Sequence, residues 1–126
     1  IDLVWLAFDD MKGGEIYVKK IPSMKITEIA KAISPKAKQE IIGIRPGEEI
    51  HEQMIGLEDA PYTYEYKDYY KILPMIHNWS NDKKRIKKGK KVNKDFIYSS
   101  EVNDEWMTAK DLSAWIKLNK QNFKSI

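Results

Sequence analysis

The sequence has 126 residues, 42% hydrophobic and 33% charged, which suits one soluble globular domain and excludes an enzyme of two full lobes. Zero cysteines remove disulfide scaffolds, thiolate metal sites and cysteine nucleophiles together, so a cytoplasmic setting is expected. The net charge of +3 is uneven: residues 81–94 hold eight lysines and arginines against Asp82, while the rest of the chain is acidic. A nucleic-acid-coating surface is therefore not expected.

Ile1, Val4, Trp5, Phe8 and Met11 recur at helical spacing, and Leu3, Leu6 and Ala7 make the other side apolar too. Such a helix calls for cover on several sides, which predicts self-association. Because it carries Asp2 and is far shorter than a bilayer is thick, neither a membrane span nor a signal peptide is expected. Gly13-Gly14 suits the helix end, and Glu15 to Lys20 reads as a strand with Ile16 and Val18 on one face.

Ile26, Ile29, Ala30 and Ile33 form the stripe of a second helix, ended by Ser34-Pro35. Ile41 to Ile44 is a short β-branched run that predicts a strand; Ile50 and Met54, one helical turn apart, predict a helix after the Pro46-Gly47 turn. Tyr62 to Leu73 reads as one or two strands or an extended arm, with Tyr62, Tyr64 and Tyr66 on one face. The lysine run bordered by Trp79 and Phe96 predicts an exposed loop or short charged hairpin. Thr108 and Asp111 stand at capping-box spacing, opening a last helix whose buried face is Leu112, Trp115 and Ile116.

The residues with the most chemistry are Arg45-Pro46-Gly47-Glu48-Glu49, where the predicted strand hands over to the predicted helix. A guanidinium fork suits a diphosphate, and a carboxylate there can accept hydrogen bonds from a ribose diol. The same residues also fit an acidic first helical turn with Arg45 in a nearby ion pair. His51 and His77 have no metal-ligand spacing. No Tyr-x-x-x-Lys pair, Gly-x-Gly-x-x-Gly turn, phosphate loop or Gly-x-Ser-x-Gly elbow is present, so no catalytic, cofactor-binding or metal residue is assigned. The tyrosines read as core or subunit interface, and the lysine run as a solvated loop or, alternatively, the basis of a basic binding or protein-interaction module at residues 83–94.

The stretches GGEIYVKKIPSMKITEIAKAI, IIGIRPGEEIHEQMI, YTYEYKDYYKILP and DFIYSSEVNDEWMTAKDL resemble the carboxyl-terminal part of the inverting UDP-N-acetylglucosamine 4,6-dehydratases. These are extended short-chain dehydrogenase/reductases of the polysaccharide biosynthesis family, serving pseudaminic acid synthesis for flagellin and surface glycans. The resemblance is most specific over residues 13–55 and weakest from Met75 to Lys94. It implies an α/β fold: the substrate-binding part of an extended Rossmann-type enzyme, short strands alternating with helices, without the complete cofactor-binding half. Residues 1–34 would be the last helix-strand-helix segment of the Rossmann-like part. Residues 35–126 would be the nucleotide-sugar lobe, with a charged loop at 80–94 and a C-terminal helix at 108–119. The resemblance implies an NADP-linked oxidation, loss of water and return of hydride on UDP-N-acetylglucosamine in the complete enzyme. It places Arg45 at the diphosphate, Glu48 at the uridine ribose and the Pro22 to Lys25 loop in the substrate pocket. The chain alone is expected to bind no NADP and to be inactive, with the upstream half or neighbouring subunits as its partners in a homo-oligomer.

Overall fold

A computed structural model describes residues 1–76 and 82–119. Trp79 and the start of the expected charged loop lie outside the described residues. The fold is α/β with antiparallel sheets, and the chain divides into two units, each assembled from two separate stretches.

The first unit comprises Ile1–Ile21 and Gln53–Val102. Helix α1 (Asp2–Asp10) ends where the backbone turns extended at Met11 and passes through Gly13 and Gly14, both at positive φ. That conformation costs glycine little and would strain any residue with a Cβ. The chain then enters strand β1 (Ile16–Lys19). The other strands here are β2 (Gln53–Ile55), β3 (Thr63–Glu65), β4 (Tyr69–Ile72), β5 (Lys90–Lys91) and β6 (Tyr98–Ser99), and a single helical turn, α2 (Lys83–Ile86), precedes β5. One sheet runs in the order β1, β4, β3, β5, with Val18 opposite Tyr70 and Thr63 opposite Ile72. The tyrosine-rich run is thus two strands folded into a hairpin, since tyrosine, threonine and isoleucine pack well on a pleated surface. Strands β2 and β6 form a second ribbon. Val18, Ile55, Tyr70, Ile72 and Tyr98 make the core, with Tyr62, Val92 and Phe96 against it. The Tyr98 hydroxyl accepts from the Ile21 N–H at 2.8 Å and donates to the Ile21 carbonyl at 3.0 Å, fastening the end of the β1 segment.

The second unit comprises Pro22–Glu52 and Asn103–Ile126. Helix α3 (Ile26–Ile33) packs against helix α4 (Ala109–Leu118). α3 ends at Ser34, which adopts extended φ ahead of Pro35 because the proline ring crowds the helical region of its predecessor. α4 opens with the expected capping box, the Thr108 hydroxyl accepting from the Asp111 N–H and the Asp111 carboxylate from the Thr108 N–H. Ile29, Ala30, Leu112 and Ile116 are half-buried, while Ile26, Ile33 and Trp115 stay exposed.

Besides the burial expected of Trp115, which is 47% exposed, three local expectations fail. Residues 41–44 form no strand: they are exposed and make no ladder with any described residue, and a β-branched run without a partner strand has nothing to stabilise it. Ile50 and Met54 open no helix, because Gln53–Ile55 pairs with β6 and buries Ile55 completely, which outweighs a two-residue helical pattern. Ile16, on the Val18 face of β1, is more than half exposed.

Candidate functional site

Arg45 and Glu48 do come together, although on a turn instead of at a strand-to-helix crevice. Gly47 at positive φ tightens the chain so that the Glu48 N–H donates to the Arg45 carbonyl at 3.1 Å. The Glu48 carboxylate closes the turn from the other side, accepting from the Arg45 N–H at 2.9 Å and standing 3.6 Å from Arg45 Nε. The helix-dipole explanation of the acids therefore falls, and the ion pair stands. The Arg45 side chain remains 73% exposed, so its Nη edge is open to an anion from solvent.

The same unit contains a braced loop. Ser23, ahead of α3, donates its N–H to the Glu105 carbonyl at 2.8 Å and accepts from the Met107 N–H at 2.9 Å. Its hydroxyl accepts from Asn103 Nδ2 at 2.9 Å. Asn103 Oδ1 accepts from the Glu105 N–H, and the Asn103 carbonyl from the Trp106 indole N–H at 2.8 Å. Farther along, the Glu28 carboxylate accepts from the Ala109 N–H at the start of α4.

The first unit holds a network of buried charges that sequence reasoning missed. Arg85, in the middle of the lysine run, is buried with its guanidinium on the Glu15 carboxylate and on the Gly13 carbonyl at 3.3 Å. Lys71, fully buried in β4, donates to Asp10 Oδ2 at 2.6 Å and to the Arg85 carbonyl, and lies over the rings of Tyr17 and Tyr66. Asp10 also accepts from the Tyr17 hydroxyl at 2.7 Å and from Lys87. The lysines of the basic run are exposed, as expected from their charge, but the run is not a free loop. It is moored through Arg85, Lys87 and the Tyr66 hydroxyl, which donates to the Ile86 carbonyl at 2.6 Å. The available signals were Lys71 inside the apolar run Tyr69 to Leu73 and an arginine among lysines.

Burial works to raise the Asp10 pKa, but the hydrogen bonds from Lys71, Lys87 and Tyr17 outweigh it and hold the carboxyl well below its ordinary value. Glu15 behaves alike: burial opposes ionisation, while backbone N–H groups at Glu15, Lys12 and Gly13, with Arg85 beside them, hold its pKa down. Burial, with the Asp10 hydrogen bond second, pushes the Tyr17 phenol above its usual range. A phenol shifted that way stays protonated near neutrality. Tyr66 and Tyr69 stack at 4.6 Å and, with Leu6, Asp9, Asp10, Lys87 and Lys88, line an open cleft of about 570 Å³. Among the described residues no group of three or more His, Asp or Glu could hold a metal ion. The Gly13-Gly14 turn does not fit the pyrophosphate of a dinucleotide, because the Lys12 and Gly13 N–H groups that would meet it are given to the Glu15 carboxylate.

Fold and sequence together define a class. The family model described as polysaccharide biosynthesis protein matches residues 1–74, and the chain belongs to that family. The curated UDP-N-acetylglucosamine 4,6-dehydratase (inverting) of Campylobacter jejuni subsp. jejuni serotype O:2 is 46% identical over 110 residues, covering 83% of this chain and 33% of the relative. Its counterpart from serotype O:23/36 is 44% identical over the same shares. A UDP-glucose 4-epimerase of Rickettsia rickettsii is 36% identical over 95 residues, covering 72% of this chain and 28% of the relative. This chain therefore spans about a third of the length of the dehydratases it matches. The crystal structure of Pen from Bacillus thuringiensis superposes with a TM-score of 0.70 at 22% identity, over 95% of this chain and 36% of that one, which shows a shared fold.

Proposed function

We propose that this chain is the nucleotide-sugar-binding portion of an inverting UDP-N-acetylglucosamine 4,6-dehydratase. What carries the reading is the 46% identity to such an enzyme over 83% of the chain, a span long enough to take in the Arg45 to Glu48 turn wherever it begins. In this reading Arg45 offers its Nη edge to the UDP diphosphate while Glu48 holds the guanidinium from the Nε side and meets the ribose diol. The turn is closed by its own hydrogen bonds, so little ordering remains to be done on binding.

The finer parts of the reading follow from the family. Residues 1–34 continue a Rossmann-like half, and residues 35–126 form the substrate lobe. The complete enzyme works with NADP in the cytoplasm, as a homo-oligomer, toward pseudaminic acid and surface glycans. The glycine turn here does not fit that cofactor, so no chemical step is assigned to these residues: they bind and orient. No helix among the described residues is long and apolar enough to cross a membrane.

The test is calorimetric titration of UDP-N-acetylglucosamine into this sequence completed by the remaining segment of its family. Saturable binding that Arg45→Ala weakens supports the reading, and binding indifferent to Arg45 overturns it. The chain by itself should yield no dehydrated product, and turnover by a preparation free of full-length enzyme would count against the assignment.

A further inference from the structure

The cleft beside Tyr66 and Tyr69 is lined wholly by residues of the first unit, whereas Arg45 and Glu48 belong to the second. Within it Asp10 already holds the buried Lys71 ammonium and the Tyr17 hydroxyl. Lys87 is a second cation on the same carboxylate, and its side chain stays 56% exposed. Lys88, next in the chain, and Asp9, on α1, both line the cleft, and neither side chain has a hydrogen bond or ion pair among the described residues. Three ammonium groups thus meet two carboxylates, and the surplus charge is positive.

The backbone is strained at the same place. Lys87 has φ 51° and ψ −116°, and the Gly89 N–H donates to the Ile86 carbonyl at 2.9 Å. Those are the angles of the first inner residue of a type II′ turn, a position that favours glycine because a Cβ is crowded there. Gly89 in turn lies against the Tyr66 ring so closely that a Cβ would stand 2.5 Å from it, which holds the turn on the aromatic wall of the cleft. The strained residue carries a cation that Asp10 does not need for neutralisation, since Lys71 supplies one.

We propose that this cleft binds a phosphate monoester of a hydroxyl-rich compound, a sugar phosphate or a nucleoside monophosphate. Adjacent ammonium groups on Lys87 and Lys88 suit a dianion. The Asp9 carboxylate would repel a ligand that is anionic throughout, so the ligand must bring it donors, and hydroxyl groups do so. The remainder of the ligand lies against Leu6 and Tyr69. The volume of about 570 Å³ falls within the range of roughly 300–1,000 Å³ usual for small-molecule sites.

The test reads each lysine separately. In the full-length protein carrying this sequence, with Arg45→Ala present throughout so that the turn in the second unit contributes nothing, amine acetylation is followed residue by residue by mass spectrometry. Glucose 1-phosphate, uridine 5′-monophosphate and inorganic phosphate are compared at equal concentrations. One or both esters should slow acetylation of Lys87 and Lys88 severalfold and leave the exposed Lys83 and Lys84 unaffected, and the ester that does so identifies the source of the phosphate. The concentration giving half-protection should rise on the order of tenfold in Lys88→Ala, read at Lys87, and in Lys87→Gly, read at Lys88. Asp9→Asn should raise it for the esters and not for inorganic phosphate. Lys87→Gly suits the turn, and Lys88→Ala removes a side chain without a partner among the described residues, so loss of protection in both cannot be blamed on unfolding. No protection by either ester, equal protection by inorganic phosphate, protection spread evenly to Lys83 and Lys84, or undiminished protection in Lys87→Gly and Lys88→Ala would each overturn the proposal.

Discussion

Arg85, at the centre of the most basic stretch of the chain, lies buried with its guanidinium on the carboxylate of Glu15, seventy residues earlier. The pair ties the turn after α1 to the turn of helix before β5, and so converts a run of like charges into a fixed edge of the sheet.

Removing one member should therefore cost more than the pair itself is worth, because it strands a buried charge. Arg85→Ala is expected to lower unfolding free energy by about 3 kcal/mol, whereas Lys84→Ala, exposed beside it, should change it by less than about 0.5 kcal/mol. Urea denaturation of the two variants checks this, and equal midpoints would show that Arg85 is not anchored.

Acidification should dismantle the same region. Asp10 and Glu15 both have folded-state pKa values below their ordinary values of 3.8 and 4.5. Their stabilising contribution is thus complete at neutral pH, begins to fall as pH drops through that ordinary range, and continues to fall toward the lower folded values. A pH series of unfolding midpoints should slope downward below about pH 4.5, and Asp10→Asn should flatten the slope while starting from a lower midpoint.

In α4, the Thr108 hydroxyl satisfies an N–H that the helix cannot. Thr108→Ala should cost about 1 kcal/mol and reduce helical ellipticity, and Thr108→Ser should restore both. An unchanged signal in the alanine variant would mean that packing against α3 alone holds the helix.

For the proposed ligand, Arg45→Ala should weaken UDP binding more than Glu48→Ala. Hydrogen bonds to a charged group contribute about 1.5 to 3 kcal/mol, and the arginine offers them directly to the anion. Arg45→Lys should recover part of the loss, since it keeps charge without the planar fork. Calorimetry on the three variants gives the order, and equal affinities for Arg45→Lys and Arg45→Ala would exclude a charge contribution.

What could be read from the sequence was what is decided within a few residues. The Thr108 to Asp111 box, the Ser34-Pro35 stop and the Gly13-Gly14 break depend on neighbours, and each fell where the residues put it. The Arg45 to Glu48 ion pair was legible for the same reason. The helix expected after it was not, because the fate of Gln53–Ile55 is settled by Tyr98 and Ser99, far along the chain. Lys71 and Arg85 were hidden likewise: a lysine or arginine is ordinarily solvated, and only the arrival of Asp10 and Glu15 from another part of the chain makes their burial affordable.

The pairing of β1 with β4 also sets a timetable. On the ribosome Val18 emerges well before its register partner Tyr70, and Glu15 before Arg85. At roughly 5–20 residues per second the first strand waits some seconds for its neighbour, preceded by a helix whose Trp5 and Phe8 remain open to water even in the finished fold. During that interval the nascent segment presents a bare strand edge and an oily helix together. Such a surface is prone to off-pathway association, and slowing translation between the codons of Val18 and Tyr70 should lengthen its exposure.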